Sequence, residues 1–436
     1  MGYTNAKGTH QRLVDAVQDG AKFVWHGGDI CESKVPPTAT SNIIAYADQW
    51  YGGILPCVLE GPKAWDLCYN GSDTTLPGGV IDNPDYYIPV PEGEIPSQGT
   101  PNGGDISTMY EVNWDLWQQW MNSITKHVPY IVSAGNHEAA CAEFDGPNNE
   151  LSAILDDNQP VGSHKDNKTI TYYSCPPSQR NFTAYQHRFH MPGDVSGGRS
   201  NFWYSFDYGQ AHFITFDGET DYYQSPEWPF VAELKGNETH PAKNRTFITD
   251  SGPFGNIDGN NYKDNKAYEQ YQWLVKDLKS IDRKKTPWVF AMSHRPMYSS
   301  EVSAYQGKMR TAFEDLFLEY NVDAYFSGHI HWYERLFPLG KNGTVDENAI
   351  LNNHTFVSKQ GSMTHIINGA AGNLESHSIL KKDETQLPIT AALDTTNYGF
   401  NKLTVFNATT CLWEFVHGSD GSIGDYVYLV KDQKKH

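Results

Sequence analysis

Four short apolar runs punctuate the chain, at residues 22–26, 128–133, 286–292 and 322–326, each bounded by polar or glycine-containing turns. Runs of that length predict strands buried in a covered sheet, because a strand with one wet face alternates polar with apolar positions. Helical stripes lead into them. Leu13, Ala16 and Val17 share one face over residues 9–17; Trp114, Trp117, Met121 and Ile124 recur at helical spacing, as do Phe313, Leu316, Phe317 and Tyr320. Tyr271, Leu274, Val275 and Leu278 form another core-facing stripe ahead of the 286–292 run. Helix and strand therefore alternate, which predicts an α/β fold. Between residues 398 and 429, stretches such as Leu403-Thr404-Val405-Phe406 and Tyr426-Val427-Tyr428-Leu429 predict closing β-strands. Residues 89–104, rich in Pro and Gly, and 237–266, polar and Asn-rich, predict long surface loops.

Chemistry-bearing residues stand where the four apolar runs end. Gly28-Asp29 follows the first, Gly135-Asn136-His137-Glu138 the second, Ser293-His294-Arg295-Pro296 the third and Gly328-His329-Ile330-His331 the fourth. In α/β folds, ligands gather beyond the carboxyl ends of the strands. Two imidazoles one residue apart can grip two adjacent metal ions. With a carboxylate, an amide and a third imidazole beside them, they describe a dinuclear hydrolase site.

These motifs resemble, in order and in strand context, those of the metallophosphoesterases, and within them the purple acid phosphatases. Trp332-Tyr333-Glu334-Arg335 after the last motif looks like the secreted fungal members. The resemblance implies two packed β-sheets flanked by helices, with the metal site at the C-terminal ends of the strands. It implies residues 1–385 as catalytic domain, with 386–436 as β-strands completing it. It also implies that Asp29 bridges two metals, that Asn136, His294 and His329 complete a divalent site, and that Tyr46 and His331 serve a ferric ion. Hard carboxylate and phenolate oxygens suit Fe(III), while imidazole and amide oxygen suit Zn, Mn or Fe(II). By the same resemblance, His137 protonates the leaving alcohol, and Asn136 and His137 meet the phosphate; residues 301–306 lack the histidines that plant relatives place there, which makes Arg295 or Tyr305 a further candidate for that contact. The implied reaction is hydrolysis of phosphate monoesters by a metal-bound hydroxide. A phosphodiesterase on the same scaffold and a catalytically impaired product are the alternatives.

Two departures bear on the ferric site. Met1-Gly2-Tyr3-Thr4 resembles the tail of Asp-Met-Gly-Tyr-Thr, which puts the first family ligand just before Met1. Three positions after Asp29 stands Glu32, and the expected Tyr arrives only as Tyr46, in Tyr46-Ala47-Asp48. Back-translation of residues 31–45 is compatible with splice signals that would restore the family spacing. These residues are therefore expected to translate a retained intron, with a surface insertion as the alternative.

Composition places the protein in its setting. Eight Asn-x-Ser/Thr sequons, at Asn70, Asn167, Asn181, Asn237, Asn244, Asn342, Asn353 and Asn407, point to a secreted glycoprotein. Cys57 with Cys68, and Cys141 with Cys175, are expected disulfides in an oxidising compartment, leaving Cys411 over and Cys31 within the suspected insert. No stretch of about 20 apolar residues predicts a membrane span. No leader of basic then apolar residues opens the chain, so signal peptide and N-terminal β-sandwich are expected upstream of Met1. A net charge of −19 disfavours nucleic acid as a partner. Protonating the 17 histidines would nearly cancel that charge, which favours anionic substrates in acid surroundings. Among the other histidines, His187 and His190 are expected to be structural. His26 is a candidate to hold a ligand from behind, and His365 to lie beside the site.

Overall fold

A computed structural model of the protein describes residues 3–30, 107–135, 138, 182–219, 267–301, 307–372, 377–380 and 385–431. Five α-helices lie among them: α1 (Tyr3–Gln18), α2 (Ser107–Thr125), α3 (Thr183–Arg188), α4 (Ala267–Ser280) and α5 (Gly307–Glu319). The strands of the first half are β1 (Val24–His26), β2 (Tyr130–Val132), β3 (Tyr204–Tyr208), β4 (Ala211–Thr215), β5 (Trp288–Met292) and β6 (Ala324–Ser327). Those of the second half are β7 (Tyr333–Leu336), β8 (Leu339–Gly340), β9 (Thr344–Val345), β10 (Ile350–Asn352), β11 (Thr355–Ser358) and β12 (Thr364–Asn368). They end with β13 (Thr390–Asp394), β14 (Gly399–Asn407), β15 (Thr410–His417) and β16 (Ile423–Lys431).

All four apolar runs are strands, and all four helical stripes are helices. A seven-stranded sheet runs β13-β7-β12-β6-β5-β4-β3, parallel from β12 to β4 and antiparallel at its flanks. The two central runs, β5 and β6, are buried along their whole length, as continuous apolar strands of a covered sheet should be. The two earlier runs are only half-buried, because β1 and β2 pair in parallel with each other in a separate two-stranded ribbon.

The closing strands form a second sheet, β10-β11-β16-β15-β14. Its inner face packs on the seven-stranded sheet through aromatic stacks: Phe326 on Trp413 and Tyr333 on Phe415, each with ring centroids 4.2 Å apart. On the other face of the central sheet, α2, α4 and α5 bury Trp114, Met121, Leu274, Phe313 and Phe317. The protein is thus layered, helices over a mixed sheet over a second sheet, the α/β arrangement expected. Asp425 of β16 also accepts from Arg335 Nε at 2.6 Å, Arg335 Nη2 at 2.9 Å and Tyr333 Oη at 2.9 Å, pinning the two sheets together where both groups are buried.

One polar brace joins the sheet edge to a helix. His212 of β4 lies with Nδ1 2.6 Å from Asp207 of β3 and Nε2 2.9 Å from Asp277 of α4, whose other oxygen accepts from Ser205. Burial disfavours the charged imidazole, but the two carboxylates outweigh it and raise its pKa above the ordinary value. A raised folded-state pKa contributes stability that is complete below about pH 6.5 and is lost as the pH climbs through the folded value. His212→Gln should therefore lower the melting temperature more at pH 5 than at pH 8, measured by thermal unfolding across that range.

Candidate metal centre

The site is built where the ends of β1 and β2 meet. Gly28 is left-handed, with φ 89°, and a Cβ there would stand 2.7 Å from the Gly135 backbone and 2.8 Å from His294 Nδ1. Only glycine lets the two loops approach so closely. Buried between them is Glu138. One carboxylate oxygen accepts from the backbone N–H of Asp29 at 2.8 Å and of Gly135 at 2.6 Å, and the other from Ile30 at 2.7 Å. Burial and the charge of Asp29 push the Glu138 carboxyl up to about 7, while the Ile30 and Gly135 N–H groups favour its anion.

Asp29 enters the site from this clamp with φ 48°, and His329 from the end of β6 with φ 63°. Left-handed backbone at two non-glycine positions is strain of the kind that functional sites hold in place. Between them stands His294, two residues past β5. Its Nδ1 donates to the Gly27 carbonyl at 2.7 Å, which aims Nε2 at Asp29 Oδ2, 2.9 Å away, and at His329 Nδ1, 3.2 Å away. Donor atoms of Asp29, His294 and His329 all lie within 4.8 Å of one another, the only such His/Cys/Asp/Glu group among the described residues.

Electrostatics divides the two imidazoles. Burial opposes a charge on His294, but Asp29 and Glu219 overcome it and raise its pKa to about 9. His329 is driven the other way, well below the ordinary value, by burial and by the positive charges of Arg295 and His294. A carboxylate beside two imidazoles, one of them kept neutral, is a donor set that fits Zn, Fe or Mn. The residues present therefore fit a transition-metal ion.

Around this cluster, Arg295 lies with Nη1 2.9 Å from His329 Nε2 and is gripped by Glu219, Nε to Oε1 at 2.8 Å and Nη2 to Oε2 at 3.2 Å. The pair is buried, Arg295 with 3% of its surface exposed. Removing one partner from a buried pair of this type costs about 3–5 kcal/mol, because the other charge is stranded. Glu334 receives Ser299 Oγ at 2.7 Å, Thr390 Oγ1 at 2.6 Å, Trp332 Nε1 at 3.1 Å and the Ser300 N–H at 3.0 Å. It ties the segment after His294 to the strand that follows His331. His331 is held through its backbone, its N–H on Ser378 Oγ at 3.2 Å and its carbonyl accepting from the Ser378 N–H at 3.1 Å, and it stands outside the three-donor cluster.

Of the residues singled out from sequence, the structure brings together Asp29, His294 and His329, with Arg295 alongside. Tyr46, Asn136, His137 and Tyr305 lie outside the described residues, as do residues 31–45, Cys57, Cys68, Cys141 and Cys175, and the sequons at Asn70, Asn167, Asn181, Asn237 and Asn244. Asn342, Asn353 and Asn407 are exposed, and Cys411 is free and buried. His26 meets Tyr130 Oη at 2.9 Å across β1 and β2. His365 is wedged between the rings of Tyr298 and Tyr325, with no partner for its buried Nδ1. Sequence reasoning gave no role to Glu138 and did not find Glu219. Glu138 stands inside a quoted motif, and Glu219 follows the end of β4 as the other ligand candidates follow theirs. Among the described residues no helix is long and apolar enough to cross a membrane.

Replacing the clamp carboxylate tests its part in building the site. Glu138→Gln keeps the volume but turns an NH2 group toward backbone donors, so metal affinity should fall by about 10–100-fold, the usual scale for a group that holds ligands in place. Titration of metal into the metal-stripped protein, read calorimetrically, checks this.

The calcineurin-like phosphoesterase profile matches residues 93–333, and that of the iron/zinc purple acid phosphatase-like protein C matches residues 362–426. The chain is 57% identical over 432 residues to an acid phosphatase of Aspergillus ficuum, covering 99% of this chain and 67% of that protein. It is 26% identical over 412 residues to purple acid phosphatase 15 of Arabidopsis thaliana, covering 84% of this chain and 60% of the relative. Among solved structures it is similar in fold to a purple acid phosphatase from yellow lupin (Lupinus luteus) seeds, with TM-score 0.50 and 23% identity over 75% of this chain and 45% of that one. The chain thus spans two thirds or less of the length of these proteins. On the family match and the 57% identity, it belongs to the calcineurin-like phosphoesterases, in their purple acid phosphatase branch of metal-dependent phosphatases with a dinuclear centre.

Proposed function

We propose that the protein is a secreted acid phosphatase that hydrolyses small phosphate monoesters. The observation that carries this reading is the convergence of Asp29, His294 and His329 at the carboxyl ends of three strands, within 4.8 Å of one another and beside a charged Arg295. In this reading Asp29, Asn136, His294 and His329 hold a divalent ion, Zn, Fe or Mn. His331, Tyr46 and Asp29 would hold Fe(III). A metal pair bound there supplies Lewis acidity toward the phosphate and a nucleophile near neutral pH.

The chain's own residues do the rest. Burial of Asp29 and His294 keeps water from competing for their donor atoms, and the Gly27 carbonyl fixes the imidazole so that Nε2 faces inward. Arg295, fixed by Glu219, adds positive potential beside His329, which favours an anionic ester. His137 donates the proton that lets the leaving oxygen depart as an alcohol, since an alkoxide leaves poorly. An acid working range agrees with the formal charge of −19, which histidine protonation offsets.

Purified protein should release phosphate from an aryl or alkyl monoester below pH 7, lose this on chelation and regain it with a divalent ion. His137→Ala should lower kcat by about 10²–10⁴-fold, the range for a lost general acid, with metal content unchanged. Turnover of a diester with none of a monoester would replace this reading with that of a phosphodiesterase.

A further inference from the structure

Large apolar side chains exposed on a folded surface ask for an occupant. Three of the described ones lie on the strands either side of β11, at one corner of the five-stranded sheet. Along β16 the side chains alternate, with Asp425, Val427 and Leu429 inward and Tyr426 and Tyr428 outward, 40% and 37% exposed. Leu351 of β10, 63% exposed, lies at the same corner, on the strand beside β11. The turn from β10 to β11 is Asn353-His354, and Asn353 is the acceptor of the sequon Asn353-His354-Thr355.

The turn is fastened to the tyrosines. The His354 ring stacks on Tyr426 with centroids 4.3 Å apart and planes 13° from parallel. Its carbonyl accepts from the Tyr428 N–H at 2.9 Å, and its Nδ1 lies 2.8 Å from the Tyr426 carbonyl. Its own N–H donates to Asn352 Oδ1 at 2.9 Å, which closes the turn and leaves Asn353 exposed at its tip. Thr355 is in register with Tyr428 on the parallel neighbour, while the next residue, Phe356, is buried, so the sequon threonine and Tyr428 share the outer face. A sugar linked to Asn353 begins beside an aromatic surface.

We propose that Asn353 carries an N-linked glycan whose first sugars lie against Tyr426 and Tyr428. N-acetylglucosamine has one ring face made largely of C–H groups and an edge of hydroxyl and amide groups. The first suits a tyrosine ring and the second suits water, as the two tyrosine hydroxyls do. Attachment at the edge of the patch makes the contact intramolecular, so a weak stacking energy suffices to hold it. The glycan thereby covers apolar surface on the outer face of β16, and it adds stability without touching the metal centre. The inference rests on the reading of the protein as secreted.

The experiment uses the full chain secreted from a glycosylating host, with glycopeptide mass spectrometry for occupancy and thermal unfolding for stability. Expected are an occupied Asn353 and a loss of about 1 °C in Asn353→Gln, the shift for roughly 1 kcal/mol in a protein of 436 residues. In a Tyr426→Ser/Tyr428→Ser background the same substitution should cost almost nothing, because its partners are gone. Thr355→Ser, which keeps the sequon, should retain the glycan and most of the stability. An empty Asn353 beside an occupied Asn407 overturns the proposal and leaves the secreted reading intact; empty sequons throughout overturn both. An equal loss in the two backgrounds means that the glycan does not lie on the tyrosines. Self-association through that face, seen as a mass that rises with concentration in native and deglycosylated protein alike, also overturns it.

Discussion

Everything at the candidate metal centre hangs on a buried carboxylate that takes its hydrogens from backbone. Glu138 accepts from three N–H groups on two loops, those of Asp29 and Ile30 after β1 and that of Gly135 after β2. The three bonds act together, against the burial and the Asp29 charge that push the carboxyl up to about 7. The bonds offset the strain of a left-handed Asp29 and the close passage of Gly28 past Gly135. Without that carboxyl group the two loops would lose the bonds that join them, and Asp29 would lose the backbone anchor that adds to its pair with His294. A buried carboxyl group far along the sequence thus aims the Asp29 carboxylate.

The layers supply the stiffness this needs. β4, β5 and β6 run parallel in one sheet, so Glu219, His294 and His329 emerge at the same edge with their spacing set by backbone hydrogen bonds. Aromatic stacking between the sheets and the Asp425 pair with Arg335 hold that sheet from behind, while the helices close its other face. Glu334 and Arg335, neighbours in sequence, point to opposite sides of β7. One fastens the segment after His294, the other the second sheet, so a four-residue stretch braces both the site and the core.

Much of this was legible in the chain. Strands β5 and β6 announce themselves because a parallel strand covered on both faces is a continuous apolar run, and α2, α4 and α5 because a helix with one buried face repeats at helical spacing. The convergence of Asp29, His294 and His329 was legible because loops that follow parallel strands meet at one edge of the sheet. What the chain did not disclose was pairing over distance. Asp29 and Glu138 are 109 positions apart, and nothing local says that a carboxylate in a motif will turn back onto the loop of another. Glu219 and Arg295, 76 positions apart, are hidden for the same reason. The half-buried state of β1 and β2 was also illegible, since an apolar run does not show how many neighbours its strand will have.

Anomalous X-ray diffraction from crystals of the metal-loaded protein, collected at the iron and zinc edges, tests the central claim most directly. The account predicts an ion about 2.0–2.2 Å from donor atoms of Asp29, His294 and His329, at the usual ligand distance for these groups, with a second ion on the His331 side of Asp29. Anomalous density elsewhere, with Asp29, His294 and His329 bonded only to one another, would contradict it.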